Sequence, residues 1–203
     1  TTGSNNTGVG WNALKANTTA ANNTAVGSTA LGANTTGGNN TAVGYYALSV
    51  NTTGTPNTAV GFNSLRDNTT AANNVAIGAY ALASNTTGGL NVVGGHNSAD
   101  ANTTGSYLTA WGASALGANT TASSNSAFGY NSLVANTTGA NNDAFGFDAL
   151  FSNTTGSSNC AHGSYSLYSN TTAGTNSAFG QGTMQLNTTG ANNVAMGAYA
   201  LDA

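Results

Sequence analysis

A period of 17 residues runs through this chain without an insertion or a deletion. Asn-Thr-Thr recurs at Asn17, Asn34, Asn51, Asn68, Asn85, Asn102, Asn119, Asn136, Asn153, Asn170 and Asn187, and the first copy, opening at Thr1-Thr2-Gly3, lacks only its leading Asn. Twelve copies less one residue account for all 203 positions. A short fixed period specifies coils that stack on one another, because no single copy can bury its own apolar face. The expectation is one repeat domain over residues 1–203, a rod with no globular pocket.

With Asn17 as position 1, a copy reads N-T-T-G/A-x-N-N-T-A-V-G-x-x-A-L-x-x, and residues 34–50 come close to this ideal. Positions 2 and 3 are Thr, and position 11 is Gly, in all twelve copies. Position 7 is Asn except at Leu108, and position 15 is Leu except at Ala99 and Met184. Helical solenoids need repeats of about 33 residues or more. The shorter period, rich in Asn, Gly and Thr, predicts an all-β fold: a parallel β-solenoid (β-roll or β-helix) of twelve coils, roughly 58 Å long at about 4.8 Å per coil. Strands are expected around positions 7–10 and 13–15, with a third at 1–3. Gly27, Gly44, Gly61, Gly78, Gly129 and Gly146 are the expected corners, where positive φ or close backbone approach is needed. Asn17, Asn34, Asn51 and Asn68, with Thr18, Thr35 and Thr52, are expected to form ladders of identical side chains. An unbroken register follows, since a slip of one residue would turn every side chain to the opposite face.

Leu31, Leu48, Leu65 and Leu82 at position 15 are candidate core residues. So are Phe128 and Phe145 at position 10, in a row that runs from Val9 to Met196. Position 8 shrinks where position 10 grows, as in Ser126 beside Phe128 and Cys160 beside His162. Such compensation implies packed surroundings on both faces of the strand, one inside the coil and the other against a neighbouring chain.

Composition narrows function mainly by exclusion. Only 3% of residues are charged: Lys15 and Arg66 against Asp67, Asp100, Asp143, Asp148 and Asp202. Ordinary domains carry roughly 25%. Two cations cannot neutralise a phosphate track, so nucleic acid and polybasic membrane contacts are excluded as partners. No apolar run is long enough to span a bilayer, and no membrane insertion is expected. Low charge favours self-association, whereas apolar content of 39% in strict register argues against disorder. Solenoid ends normally carry atypical capping repeats. Neither end does here, and the two ends are in phase, as expected of an excerpt from a longer array or of subunits stacking end to end.

The core Asn74-Val75-Ala76-Ile77-Gly78, echoed at Asn193-Val194-Ala195-Met196-Gly197, resembles the head repeat of trimeric autotransporter adhesins of the YadA type, whose repeats are about fourteen residues long. The phrase from Asn51 to Leu65 is similar to repeats of bacterial and phage tail-fibre-like proteins. The resemblance implies a left-handed parallel β-roll, three chains side by side, an extracellular address and adhesion.

Chemistry is sparse. Cys160 and His162 are two ligands without a third, so no metal site is expected. His162 takes the slot of a Phe and reads as core filler, while His96 reads as a surface residue. Asp143 and Asp148 share a coil but lack the organised cleft that a glycosidase pair requires. No Ser or Thr has a His-plus-acid arrangement, so no catalytic residue, no cofactor and no enzymatic activity are expected. Asn-Thr-Thr is a formal glycosylation sequon, but coils about 4.8 Å apart leave no room for a sugar on each. The twin Thr rows resemble those of β-helical antifreeze proteins, although in a regular strand one of two adjacent Thr points inward. Tyr45, Tyr46, Phe62, Tyr130 and Phe147, at positions 12 and 13, are the candidate contact surface.

The reading is a structural fibre subunit, extracellular, at the cell surface or in a virion fibre. It would associate with itself laterally or end to end as a homo-oligomer or filament, a trimer among the options. A cell-surface or matrix ligand is the further candidate partner. Two alternatives stay open: an adhesin head or phage tail-fibre shaft that binds a receptor, and an ice-binding solenoid.

Overall fold

The computed structural model describes residues 2–202. Thr1 and Ala203, from which the phase of the two ends is read, lie outside the described residues. The chain is a parallel β-solenoid with one sheet of twelve strands, β1 (Thr7–Val9) to β12 (Val194–Met196), lying in sequence order. Every pair joins like positions of successive copies, as in Thr24↔Thr41, Ala25↔Ala42 and Val26↔Val43. The zero-indel period is therefore the sheet register itself. No helix occurs among the described residues, and none is long and apolar enough to cross a membrane.

Each coil carries one strand, not two or three. Strands occupy positions 8–10, with position 7 added in β4 (Asn57–Val60) and β5 (Asn74–Ile77). The segment at positions 13–15 turns instead, because the residues at positions 13 and 15 take left-handed φ, for example 55° at Tyr46 and 53° at Leu48. Backbone pairing continues through this segment all the same. The Tyr46 amide donates back to the Ser28 carbonyl at 3.0 Å, while the Leu48 amide donates forward to Ser64 at 3.0 Å. Left-handed φ costs a Leu about 1–2 kcal/mol. Complete burial of the side chain, about 1.5–3 kcal/mol, offsets it; Leu31, Leu48, Leu65 and Leu82 are all fully buried. Positions 1–3 form a bend rather than the third expected strand.

The corner after each strand needs Gly. At Gly27, Gly44, Gly61, Gly78, Gly129 and Gly146, φ lies between 133° and 141°. A Cβ at Gly78 would also sit 2.5 Å from the Gly95 carbonyl oxygen of the next coil. Strands rise at the strand–strand distance, so identical corners lie directly over one another and leave no volume for a side chain.

The interior is apolar on one side and amide-lined on the other. Ala25, Ala42, Ala59 and Ala76 at position 9 point inward with the position-14 residues and the position-15 leucines. Asn34, Asn51, Asn68 and Asn85 at position 1, with Asn40 and Asn91 at position 7, are fully buried as well. Because position 9 faces in, the pleat turns positions 8 and 10 out. Phe128 and Phe145 are consequently not core: Phe145 is 37% exposed and Phe128 is partly exposed. His162 is no core filler either, and only one face of the sheet is covered within the chain. The compensation between large and small side chains operates on an outer surface. Gly94 is buried because the Trp111 indole of the next coil lies across it, within 2.4 Å of where a Cβ would be.

Candidate functional site

The surface of the rod divides into three long faces, each set by positions in the repeat. The first is the outer side of the sheet. Positions 8 and 10 give an apolar row that includes Val26, Val43, Ile77 and Val92, all 36–41% exposed, then Trp111 and Phe145. Farther along, ring centroids of Phe128 and Phe145 lie 4.6 Å apart with planes at 12°. His162 continues that column between Phe145 and Phe179, at 4.5 and 5.2 Å. Cys160 pairs in register with Asp143. Burial, and then the Asp143 carboxylate, push its thiol pKa up, away from the thiolate that a nucleophile or metal ligand requires.

The second face begins past the glycine corner. Tyr45, Phe62, Tyr130 and Phe147 are exposed there, with Tyr46 half-buried beside Tyr45. Tyr45 stacks on Phe62 at 5.5 Å and 7°, and Tyr130 on Phe147 at 5.5 Å and 17°. Tyr80 and His96 extend the first column edge-on, at 5.2 and 6.3 Å. Each such pair is worth roughly 0.5–1.5 kcal/mol beyond burial. The geometry bears on chemistry, because rings stacked along the axis spend their faces on one another. They present edges to solvent, not the flat platform on which a sugar ring sits.

The third face is the bend at positions 2 and 3. All the described position-3 threonines, from Thr2 to Thr189, are exposed. The position-2 hydroxyls instead donate to the next coil's position-2 carbonyl, as Thr35 to Thr52 at 3.1 Å and Thr52 to Thr69 at 3.1 Å. No charged residue occurs at positions 1–7 of any copy; every Lys, Arg and Asp falls at positions 8–17.

Under that face lie two amide ladders that converge on one acceptor. Asn51 Nδ2 donates to Asn34 Oδ1 at 3.0 Å and to the Gly54 carbonyl of its own coil at 3.1 Å. Asn40 of the preceding coil donates to the same Gly54 carbonyl at 2.9 Å, and its Oδ1 accepts the Asn57 amide at 2.8 Å. The position-1 side chain is thus consumed inside the rod, which removes it as a glycan acceptor. Leu108 interrupts the second ladder: its amide still donates to Asn91 Oδ1 at 2.9 Å, but it has no amide group to offer the next coil.

Among the described residues, Asp143 and Asp148 stand on opposite sides of a corner. Asp143 is exposed on the sheet face, whereas Asp148 lies beyond the Gly146 corner, mostly buried, with Oδ1 unpaired. No cluster of three His, Cys, Asp or Glu could hold a metal ion there. Two features escaped the positional reading. Val93 is the one Val at position 9 and shares its coil with Ala99, the one Ala at position 15. These positions face each other, for a Cβ on Gly8 would lie 3.5 Å from Leu14 Cδ1, and tabulating pairs of inward positions would have found the exchange. The absence of charge from positions 1–7 was equally readable. No protein-family model, curated protein or solved structure matches this chain.

Proposed function

We propose that this chain is a structural rod, the subunit of an extracellular fibre, which associates side by side with further copies through the outer face of its sheet. The observation that carries the reading is the run of large apolar side chains at position 10, exposed at Val9, Val26, Val43, Ile77, Trp111, Phe145 and Met196 on the outer face of the sheet. Monomeric proteins rarely leave so long an apolar surface uncovered. Twelve strands about 4.8 Å apart and about three residues wide give the sheet face roughly 550 Å², and the exposed rings past the glycine corner add to it. A stable interface buries about 800 Å² per partner. The stacked aromatics keep that surface rigid, so little side-chain entropy is lost on contact. Charge is sparse on this face, since Asp143 is the only Asp, Glu, Lys or Arg at positions 8 and 10.

Stiffness comes from the inside. Successive coils are tied by the strand, by the turn amides and by the two Asn ladders, the second broken only at Leu108, and buried hydrogen-bonded networks of this kind resist local opening. Sedimentation of the full chain with electron microscopy tests the proposal. Laterally paired or bundled rods are expected for the parent, and single rods for the variant V43K/I77K. Single rods for the parent at tens of micromolar would refute association through this face.

A further inference from the structure

The threonine face raises a separate question. Exposed positions elsewhere on the rod vary freely: position 6 holds Asn, Pro, Leu, Tyr, Ser or Thr, and position 12 holds Trp, Ser, Tyr, Phe, Ala, His or Gln. Position 3 is equally exposed, yet it is Thr in every copy. Its hydroxyl makes no hydrogen bond within the chain at any described copy, so no internal contact demands it. A glycosylation sequon does not demand it either, because the partner Asn is buried and doubly bonded.

What the arrangement does supply is a lattice. Successive bends are pinned by backbone bonds between like residues, as Thr86 to Thr103 at 2.9 Å and Thr103 to Thr120 at 2.8 Å. The Thr103 hydroxyl is fixed as well, donating to the Thr120 carbonyl at 3.0 Å. Adjacent methyl and hydroxyl groups therefore repeat at the strand spacing of about 4.8 Å along the whole rod. The bend lets both neighbouring threonines reach the surface, which a regular strand would forbid. Oxygen rows in hexagonal ice repeat at a similar distance. A charged side chain would organise water around itself and break such a match, and none occurs at positions 1–7 of any copy. A second copy is a poorer occupant of this face. Burying the free hydroxyls against another chain would leave them without partners, whereas ordered water can bond every one of them.

We infer that the position-2 and position-3 threonines form a binding face for ordered water, through which the rod adsorbs to ice. This inference is independent of association through the sheet face. The test is capture of the full chain by a growing ice front, with thermal hysteresis read on the same material. The parent is expected to enrich in the ice fraction and to hold crystals below the melting point. The variant T87K/T104K should lose both while keeping the parent circular dichroism spectrum. The variant V43K/I77K should keep both, whatever its state of association. Three outcomes would overturn the inference: absence of hysteresis in the parent, activity that survives T87K/T104K, or retention on microcrystalline polysaccharide without capture by ice.

Discussion

Replacing Asn85 by Ala removes a rung from the centre of the position-1 ladder, where the structure allows the cost to be worked out. Asn85 is fully buried. Its Nδ2 donates to Asn68 Oδ1 at 3.1 Å and to the Gly88 carbonyl at 2.9 Å, and its Oδ1 accepts from Asn102 Nδ2 at 2.9 Å. Three bonds at about 1 kcal/mol net each come to about 3 kcal/mol. The carbonyl of Gly88 keeps a donor in Asn74, at 3.0 Å. Asn68 Oδ1 and one Asn102 Nδ2 proton have no replacement, and a buried unsatisfied group adds about 1–3 kcal/mol. With two such groups the expected loss is about 5–9 kcal/mol, read by urea denaturation followed by far-ultraviolet circular dichroism. N187A, in the half-exposed last rung where water can substitute, should cost less than half as much. An N85A loss within about 1 kcal/mol of the parent would refute the idea that the ladder stabilises the rod rather than merely filling it.

The isosteric variant N85D separates hydrogen bonding from volume. Its second oxygen would replace Nδ2 and face two acceptors, Asn68 Oδ1 and the Gly88 carbonyl. Both that contact and burial disfavour the ionised form, so the folded-state pKa rises above the unfolded value of about 3.9. With a raised folded pKa, the unfolded state gives up its proton first as pH climbs. The N85D rod should therefore be most stable below about pH 4 and lose stability as pH rises through the folded pKa. N85A should show no such added slope.

Other expectations follow from the same geometry. A99L alone overfills the coil that holds Val93 and should cost about 1–3 kcal/mol, while V93A/A99L, which restores the common pair, should recover most of that in a double-mutant cycle. Burial raises the Asp100 pKa against the opposing pull of the Asp100 and Ala101 amides and of His96; stability should decline slightly as pH rises through the range just above ordinary carboxylate values, and D100N should flatten that slope in pH-resolved melts. The Asp143 carboxylate helps to hold the Cys160 thiol protonated, so D143N should speed alkylation of the folded chain near pH 8, measured by mass spectrometry.

Different parts of this molecule were legible in the sequence to different degrees, and the reasons are physical. Register, parallel pairing and the glycine corners could be read because each is a strict consequence of stacking: identical backbones at one strand spacing force like over like, and only Gly survives where a Cβ would meet the next coil. The second and third expected strands are absent because positions 1–3 bend and positions 13–15 turn. There Leu48 and its equivalents take left-handed φ, and burial outweighs a propensity that would forbid it. Phe128 and Phe145 were misplaced by a rule that is sound in globules, that large apolar residues go inside. The interior of the coil is already taken by the Ala and Leu rows on one side and the buried Asn rows on the other. The aromatics stand outside and stack with their neighbours instead, at 4.6 Å between Phe128 and Phe145. In a solenoid this narrow, apolar residues on the sheet report on the exterior, and the inward positions report on backbone satisfaction. The invariant outward threonines fit neither account, so the face they form needs an explanation from outside the chain.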